Sequence, residues 1–229
     1  MNLGIEGRAA LVVGASRGIG LEIARELRAE GCRVVTVSRS GKTDFNMDLM
    51  ERTDLLVKAM ELCPPDIIVH VVGGSQGMTD PLGSSELYGK VWRLNLGIAI
   101  DINRAFIPLM QSNKWGRIVH LSSNATRIGT GYCPYTSAKA ALEGYVKMIS
   151  KEFSKDGVIV TAVSPGIVHT PGRYYASLDS AEQEKYLNQY IPLGRFGRAE
   201  EVAKLVAYLS SDHAMYMAGS IVSIDGGAR

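Results

Sequence analysis

Short runs of consecutive apolar residues alternate along the chain with longer segments in which apolar positions recur every three or four residues. The short runs are rich in β-branched residues and predict buried strands at 8–13, 33–38, 66–72, 116–123, 158–164 and 220–225. The longer segments predict helices at 19–31, 50–62, 85–112, 134–154 and 199–211.

The predicted strands are apolar throughout rather than at alternate positions, so both of their faces should be covered by other elements. Strands that alternate with helices through right-handed crossovers build an open parallel sheet. The pattern predicts an α/β fold, a single Rossmann-type doubly wound parallel sheet of about seven strands with helices on both faces. A length of 229 residues suits one domain over 1–229, in which the irregular stretch 167–197 would be a lid over the substrate cleft.

Composition excludes several classes of function. The 25 Lys and Arg residues against 23 Asp and Glu residues leave a formal net charge of +2, too balanced for a nucleic-acid or membrane surface. No stretch approaches the ~18 consecutive apolar residues of a membrane helix, and the N-terminus lacks a signal-peptide pattern. Three cysteines without CxxC spacing favour a reducing, cytoplasmic setting, and four histidines without zinc-like spacing predict no metal site.

A glycine-rich loop, VVGASRGIG at 12–20, joins the first predicted strand to the first predicted helix. Its G-x-x-x-G-x-G spacing differs from the G-x-G-x-x-G fingerprint but occupies the same strand-to-helix junction. Such a loop lets a pyrophosphate approach the backbone, where the helix N-terminus offers unpaired N–H groups. The cofactor-binding residues predicted here are Gly14, Ser16, Arg17, Gly18, Ile19 and Gly20. The alternative is a tight turn that binds no ligand.

The end of the second predicted strand indicates which dinucleotide is bound. An acidic residue there bonds the ribose of NAD, whereas an arginine accommodates the 2′-phosphate of NADP. This strand ends in Ser38 followed by Arg39, and Arg17 lies in the glycine loop. Two guanidinium groups and a hydroxyl suit a phosphate, so the predicted cofactor is NADP(H). The alternative is that both arginines are solvated surface residues.

The stretch YTSAK at 135–139 places a phenol and an amine one helical turn apart, so Tyr135 and Lys139 share a helix face and can meet one ligand. A free tyrosine has a pKa of ~10, and lowering it to about 7 requires roughly 4 kcal/mol in favour of the phenolate. One cation ~4 Å away in a partly screened site supplies about that much. The two residues are a candidate acid–base pair; the alternative is two ordinary polar residues on an exposed helix.

Several motifs, in their order and spacing, resemble the short-chain dehydrogenase/reductase family over nearly the whole chain, and within it the 3-oxoacyl-thioester reductases and related sugar or polyol dehydrogenases. The matching motifs are GASRGIG at 14–20, MDL at 47–49, Asn95 in WRLNLG, SS at 122–123, YTSAK at 135–139, PGIVHT at 165–170 and DGG at 225–227. The resemblance implies an oxidoreductase that transfers a hydride between NADP(H) and a small-molecule ketone or secondary alcohol. It also implies a homo-oligomer, a tetramer or a dimer.

The resemblance assigns the catalytic residues. Tyr135 would be the general acid in reduction and the base in oxidation, and Lys139 would lower its pKa and bond the nicotinamide ribose. Ser123 would polarise the substrate carbonyl, and it is preferred to Ser122 because the family usually places its serine second in such a pair. Asn95 would help to hold a water that relays protons from solvent.

The resemblance also implies cofactor contacts beyond the glycine loop. Asp48 would contact adenine with Leu49 beside it, and Gly73 would allow a close backbone approach after the strand at 66–72. Thr170 and the backbone at Val168 would hold the carboxamide end. The remaining cofactor contacts are expected at Tyr135, Lys139, Pro165 and Gly166.

The chain departs from the family at 70–73, where HVVG replaces the usual Asn-Asn-Ala-Gly. His70 is expected to be a hydrogen-bonded core histidine, with a catalytic accessory as the alternative. Any cofactor contact at Val71 is expected from the backbone.

Three functions are open at this point. The first is an NADPH-dependent carbonyl reductase, with a 3-oxoacyl thioester as a possible substrate. The second is a sugar or polyol dehydrogenase with the same machinery, and the third is a nucleotide sensor without turnover. The joint presence of Asn95, Ser123, Tyr135 and Lys139 argues against the sensor.

Overall fold

The computed structural model of the protein describes residues 2–170 and 178–228. Its strands are β1 Ala9–Val13, β2 Arg33–Ser38, β3 Phe45–Asn46, β4 Ile67–His70, β5 Gly116–Leu121, β6 Val158–Pro165, β7 Val168–His169, β8 Gly197–Arg198 and β9 Ile221–Ile224. Its helices are α1 Gly18–Ala29, α2 Thr53–Met60, α3 Ser85–Trp92, α4 Ile98–Ser112, α5 Ala125–Ile128, α6 Cys133–Phe153, α7 Ser180–Tyr190 and α8 Ala199–Leu209. A π-helical turn, Arg93–Gly97, joins α3 to α4.

One seven-stranded sheet organises the molecule, in the order β3-β2-β1-β4-β5-β6-β9. Every neighbouring pair is parallel, with Ala10 of β1 opposite Val34 of β2 on one side and Ile67 of β4 on the other. The strand order reverses between β1 and β4, which is where doubly wound sheets open a crevice beyond their carboxyl ends. The predicted fold class is confirmed.

The sheet is covered on both faces, as its apolar strands require. Successive residues of β1 alternate between two cores: Val12 packs with the buried faces of α1 and α8, and Leu11 packs with those of α2, α4 and α6. Side chains of one strand point to opposite faces in turn, so a run without polar positions supplies both cores at once.

The structure differs from the predicted elements at several points, including β3, the helix over 85–112 and the strand over 116–123. The strand β3 has only two residues and therefore carries no periodic signal. The predicted helix over 85–112 is interrupted by the π-helical turn, and the predicted strand over 116–123 ends at Leu121, before the serine pair. These last two differences both fall beside the candidate site.

The stretch 167–197 is more regular than its composition suggests. The two short strands β7 and β8 pair in parallel, with Val168 opposite Gly197. The helix α7 begins at a capping box in which Asp179 and Glu182 bond each other's backbone N–H groups. Residues 171–177 of the predicted lid lie outside the described residues.

Within residues 2–170 and 178–228, no helix combines the length and apolar character needed to span a membrane. Within the same ranges, no three or more His, Cys, Asp or Glu side chains gather as metal ligands would.

Candidate active site

Tyr135 and Lys139 lie close together near the start of α6. Pro134 sits in the first turn of this helix, where its missing N–H costs no hydrogen bond, and Tyr135 follows it directly. Lys139 comes one turn later, and its Nζ lies 5.8 Å from the centre of the Tyr135 ring. The predicted phenol and amine are therefore neighbours in space.

The ammonium of Lys139 is withdrawn from water, because this residue is only 3% exposed. Its Nζ donates a 2.6 Å hydrogen bond to the backbone carbonyl of Leu121, the last residue of β5. Burial lowers the pKa of Lys139 from 10.5 to about 8, although the Glu143 carboxylate acts in the opposite direction. The group is thus charged at neutral pH but poorly solvated, which strengthens its attraction for a nearby phenolate.

Asn95 ties the π-helical turn to the loop after β4. Its Nδ2 donates to the carbonyls of Gly74 at 2.9 Å and Val91 at 2.8 Å, and its Oδ1 accepts from the Gly74 N–H at 3.0 Å. A Cβ on Gly73 would lie 2.6 Å from Asn95 Oδ1 and 2.9 Å from Lys139 Nζ. Asn95, Gly73 and Lys139 therefore converge at one point, and only glycine fits between the two side chains.

The two adjacent serines after β5 make different contacts. Ser122 Oγ donates to Glu143 Oε1 at 2.6 Å, and Thr126 Oγ1 donates to the same oxygen at 2.8 Å. Ser123 is half-buried, and its Oγ accepts a 3.3 Å bond from the Ala125 N–H. The Ser122 hydroxyl is committed to a carboxylate, which favours Ser123 as the residue that meets a substrate.

The glycine loop needs its glycines because other segments of the chain pass too close to it for a side chain. Gly14 has φ +97°, and a Cβ there would lie 2.9 Å from the backbone nitrogen of Val72. A Cβ on Gly20 would collide with the carbonyl oxygen of Gly14. A Cβ on Gly18 would lie 3.2 Å from Cγ2 of Thr170, so the loop and the predicted carboxamide contact are neighbours.

The first turn of α1 offers backbone donors beside this loop. Its N-cap residue, Arg17, makes no side-chain capping bond within the described part of the chain. Uncapped N–H groups at a helix N-terminus are a site for an anion. Ile19 packs against the core between α1 and the sheet, so its contribution to a cofactor would come from its backbone. Ser16 is half-buried and touches the loop after β2, since a Cβ on Gly41 would lie 2.8 Å from Ser16 Cβ.

Ser38 holds the loop after β2 in shape. It is buried, its Oγ donates to the carbonyl of Ser40 at 2.7 Å, and the same oxygen lies 3.0 Å from Thr43 Oγ1. Arg39 and Arg17 are both exposed, each on one of two loops that touch at Ser16. The arginines are thus presented to solvent where a 2′-phosphate is expected, while the Ser38 hydroxyl is occupied within its own loop.

The acidic residues that follow β2 are engaged locally. Asp44 Oδ2 accepts from the N–H and the hydroxyl of Thr36, at 2.8 and 2.6 Å, and the hydroxyl bond is the main cause that lowers the Asp44 pKa. Asp48 Oδ1 accepts from the Met50 N–H at 2.9 Å, and Leu49 is buried beside it. Asp44 is therefore committed to β2 rather than presented to a ribose.

The end of β6 lies against the C-terminal segment. A Cβ on Gly166 would lie 2.8 Å from Cα of Asp225, which shows why glycine follows Pro165. Val168 is half-buried in β7, opposite Gly197. The predicted cofactor contacts Pro165, Gly166 and Val168 thus lie on the segment that leads from β6 to Thr170.

Arg93 is a supporting residue that sequence reasoning missed. Its guanidinium donates to Asp101 Oδ2 at 2.6 Å and to the backbone carbonyls of Leu49 and Met50, each at 3.4 Å. It therefore fastens the predicted adenine-binding turn to the π-helical turn that carries Asn95. Its sequence signal is its position inside the stretch WRLNLG, two residues before Asn95.

The expectation for His70 as a core histidine is confirmed. His70 is 6% exposed, and its Nε2 lies 2.9 Å from Asn103 Oδ1. Burial is the main cause that lowers the pKa of His70, from 6.5 to about 4. The buried ring is therefore neutral at physiological pH.

Comparison with known proteins covers almost the whole chain. The family model described as short chain dehydrogenase matches residues 8–54, and the one described as Enoyl-(Acyl carrier protein) reductase matches residues 59–229. The 3-oxoacyl-[acyl-carrier-protein] reductase FabG of Pseudomonas aeruginosa is 32% identical over 246 residues, with 98% of each chain covered.

Two solved structures extend this comparison. A 3-oxoacyl (acyl-carrier-protein) reductase from Agrobacterium tumefaciens, solved with NADP bound, superposes with a TM-score of 0.90 at 27% identity, covering 98% of this chain and 95% of the other. The L-sorbose reductase of Gluconobacter frateurii, complexed with NADPH and L-sorbose, gives 0.89 at 27% identity, covering 99% and 98%. The chain belongs to the short-chain dehydrogenase/reductase family of oxidoreductases and shares the fold of these structures.

Proposed function

We propose that the chain is an NADPH-dependent carbonyl reductase that converts a ketone, with a 3-oxoacyl thioester as the leading substrate, to the secondary alcohol. The observation that carries this proposal is the convergence of Asn95 and the desolvated Lys139 ammonium at Gly73, with the Tyr135 ring beside the lysine. The P. aeruginosa and A. tumefaciens relatives, both named as 3-oxoacyl-carrier-protein reductases, support the substrate class.

The residues present suit a dinucleotide phosphate. The glycine loop leaves no room for a Cβ at Gly14 or Gly20, and the first turn of α1 provides N–H donors for a pyrophosphate. Exposed Arg17 and Arg39 provide cations for a 2′-phosphate, and Asp44 is held by Thr36. The remaining contacts that we propose are Ser16, Gly18, Ile19, Asp48, Leu49, Gly73, Tyr135, Lys139, Pro165, Gly166, Val168 and Thr170. Ser38, whose hydroxyl is bonded within its own loop, would contribute by shaping the loop beside Arg39.

Each catalytic side chain then has one task. Bound NADPH supplies the hydride that reaches the carbonyl carbon. The Tyr135 phenol gives its proton to the carbonyl oxygen, so that one hydride and one proton together yield the alcohol. The Lys139 ammonium stabilises the phenolate that remains, and the Ser123 hydroxyl donates a hydrogen bond to the carbonyl oxygen. Asn95 fixes the loop at Gly74, and we propose that it also holds the water that returns a proton.

A sugar or polyol dehydrogenase is the second candidate, favoured by the similarity to a sorbose reductase. Both candidates use the same catalytic residues and differ only in the walls of the cleft. We also propose that 1–229 forms one domain, that 167–197 covers the cleft, and that the protein acts in the cytoplasm as a homotetramer or homodimer. Its expected partners are a small-molecule substrate and further copies of the same chain, without nucleic acid, membrane or metal.

The test is oxidation of NADPH in the presence of an acetoacetyl thioester, with NADH in parallel. We expect turnover that prefers NADPH and that collapses in Tyr135→Phe. Tyr208→Phe is the matched control, because Tyr208 Oη donates to the His213 carbonyl at 3.3 Å and takes no part in the proposed site. Turnover of ketoses or polyols in place of the thioester would select the second candidate, and failure to bind either nucleotide would refute both.

A further inference from the structure

A buried polar cluster lies beneath the candidate active site. His70 ends β4 and is the register partner of His120 in β5. The two rings stack, with centroids 4.7 Å apart and an interplanar angle of 15°. Asn103 of α4 and Tyr145 of α6 complete the group, which we call the histidine cluster. Each of its four residues belongs to a different element, and all four elements carry or adjoin proposed site residues.

The hydrogen bonds of the cluster determine where its protons lie. Asn103 Oδ1 can only accept, so His70 donates to it from Nε2 at 2.9 Å. Asn103 Nδ2 can only donate, and its acceptors are Tyr145 Oη at 3.1 Å and His120 Nε2 at 3.4 Å. A neutral His120 must then carry its proton on Nδ1. That buried atom has no hydrogen-bond partner among the described residues. An unpaired buried donor costs free energy, and such a group calls for an explanation beyond packing.

The cluster is connected to the proposed catalytic residues through the chain itself. His120 directly precedes Leu121, whose carbonyl accepts the 2.6 Å bond from Lys139. His70 precedes the loop whose Gly74 is bonded twice by Asn95. A shift of either strand relative to α4 or α6 would therefore move the acceptor of Lys139 or the loop held by Asn95.

The charges around the cluster are few. Both imidazoles are buried, and burial is the main cause that lowers the pKa of each, to about 4 for His70 and well below 6.5 for His120. The Lys139 ammonium lowers both values further, and His70 also lowers that of His120. Tyr145 meets the His120 ring edge-on, with centroids 6.0 Å apart, and Glu143 acts on Lys139. The rings are thus neutral, polar neighbours of one buried cation.

We propose that the histidine cluster is a positioning device for the reductase site: it locks β4, β5, α4 and α6 in the register that holds the Leu121 carbonyl under the Lys139 ammonium. The inference rests on the proposed role of Lys139. In this proposal the cluster touches neither substrate nor cofactor, and it contributes by restricting where the ammonium can lie relative to the Tyr135 ring. Small displacements of a catalytic group cost large factors in rate, up to about a hundredfold for 1 Å.

The test compares His70→Leu with His70→Gln. Both substitutions remove the ring, but the glutamine amide can still donate to Asn103 Oδ1. Thr161→Val is the control, because Thr161 is a fully buried strand residue whose hydroxyl has no partner among the described residues. The first readout is the pH titration of the Lys139 ε-carbon by NMR, assigned with Lys139→Met, which requires no turnover. The second readout is the separate measurement of kcat and of KM for NADPH in the thioester assay.

We expect His70→Leu to raise the Lys139 titration midpoint above the wild-type pKa of about 8, because a displaced ammonium gains solvent. Its kcat should fall by about ten- to a hundredfold with KM for NADPH little changed. His70→Gln should recover most of both properties, and Thr161→Val should change neither.

Three outcomes would overturn the proposal: a folded His70→Leu with the wild-type titration and kcat, equal damage from Gln and Leu, or equal damage from Thr161→Val. If His70→Leu does not fold, Tyr145→Phe replaces it, since it removes only an acceptor of the Asn103 amide. An unchanged Lys139 titration midpoint in Tyr145→Phe would overturn the positioning role of the histidine cluster. If the wild type turns over no ketone, the proposed function fails, and the titration still decides the positioning role.

Discussion

Two buried cations lie at opposite ends of β5, and their surroundings differ. Arg117, near the amino end, donates from Nη2 to Asp212 at 2.5 Å and from Nε to the Ser211 carbonyl at 3.1 Å. Its Nη1 donates to the carbonyls of Gly116 and Gly157, and the guanidinium lies 4.4 Å from the centre of the Trp115 ring. Nearly every donor that a guanidinium possesses is used.

Lys139 meets the other end of the same strand with far fewer partners. Within the described residues its ammonium donates to one protein acceptor, the Leu121 carbonyl. An ammonium has three donors, so the group retains capacity for a ligand. The difference indicates that a saturated buried cation serves the fold, whereas an unsaturated one at the carboxyl edge of a parallel sheet is available for chemistry.

The largest effect is expected for Lys139→Met, which tests whether this buried cation serves catalysis rather than the fold. If Lys139 stabilises the Tyr135 phenolate by roughly 4 kcal/mol, as we propose, its loss should lower kcat by about a thousandfold. The melting temperature should stay the same or rise, because methionine fills the same space without burying a charge. Kinetics of the thioester reaction and a thermal melt measure the two effects. A large loss of stability would place Lys139 with Arg117 as a structural residue.

The matched change at the other end, Arg117→Met, should act in the opposite sense. It removes the guanidinium that bonds the Ser211 carbonyl and the Asp212 carboxylate, which we expect to lower the free energy of unfolding by about 3 kcal/mol. The kcat of the molecules that remain folded should be that of the wild type. Denaturant unfolding measures the change in stability, and active-site titration gives the concentration of folded enzyme from which kcat is calculated. A loss of kcat without a loss of stability would contradict the assignment of Arg117 to the fold.

The two cations also show what sequence could and could not predict. Tyr135 and Lys139 are separated by one helical turn, so a local pattern predicts that they meet. The choice of Ser123 over Ser122 stays a prediction, which the hydrogen bond between Ser122 and Glu143 favours. The π-helical turn at Asn95 was missed, because one extra residue in a turn barely disturbs a 3.6-residue period.

The contacts that surround both cations depend on strand register instead. His70 and His120 stack only because β4 and β5 pair in parallel with these two residues opposite each other. Asp212 reaches Arg117 from a segment far along the chain. Neither contact alters the hydrophobic periodicity of the sequence. The sequence therefore predicts the fold and the candidate catalytic pair, but not the His70–His120 stack or the Arg117–Asp212 bond.

A pH titration of stability should separate the two cations again. The folded-state pKa of Lys139, about 8, lies below its ordinary value of 10.5. Between these values the unfolded chain binds a proton that the folded chain does not, so Lys139 should contribute a rise with pH of about 3 kcal/mol to the free energy of unfolding. The pKa of Cys32, raised by burial to about 11, acts in the opposite direction, so the Lys139 contribution is read as the difference between the wild type and Lys139→Met. The rise should be present in Arg117→Met, since arginine stays protonated throughout, and absent from Lys139→Met. Parallel curves for the wild type and Lys139→Met would show that the lysine is solvated.

The smallest expected effect concerns an exposed cation, Arg17 at the first turn of α1, which extends the comparison to a group without burial. If Arg17 binds the 2′-phosphate, Arg17→Ala should raise KM for NADPH by about tenfold, equivalent to about 1.4 kcal/mol, and leave KM for NADH unchanged. Stability should change by no more than about 0.5 kcal/mol, because the side chain lies at the surface. Arg25→Ala is the control, since Arg25 is an exposed arginine of the same helix paired with Glu22 at 2.6 Å. An equal rise in KM for NADPH and NADH would instead assign Arg17 to the pyrophosphate. A rise confined to NADPH would complete the comparison of three cations: exposed Arg17 binds the cofactor, Lys139 supports catalysis, and Arg117 stabilises the fold.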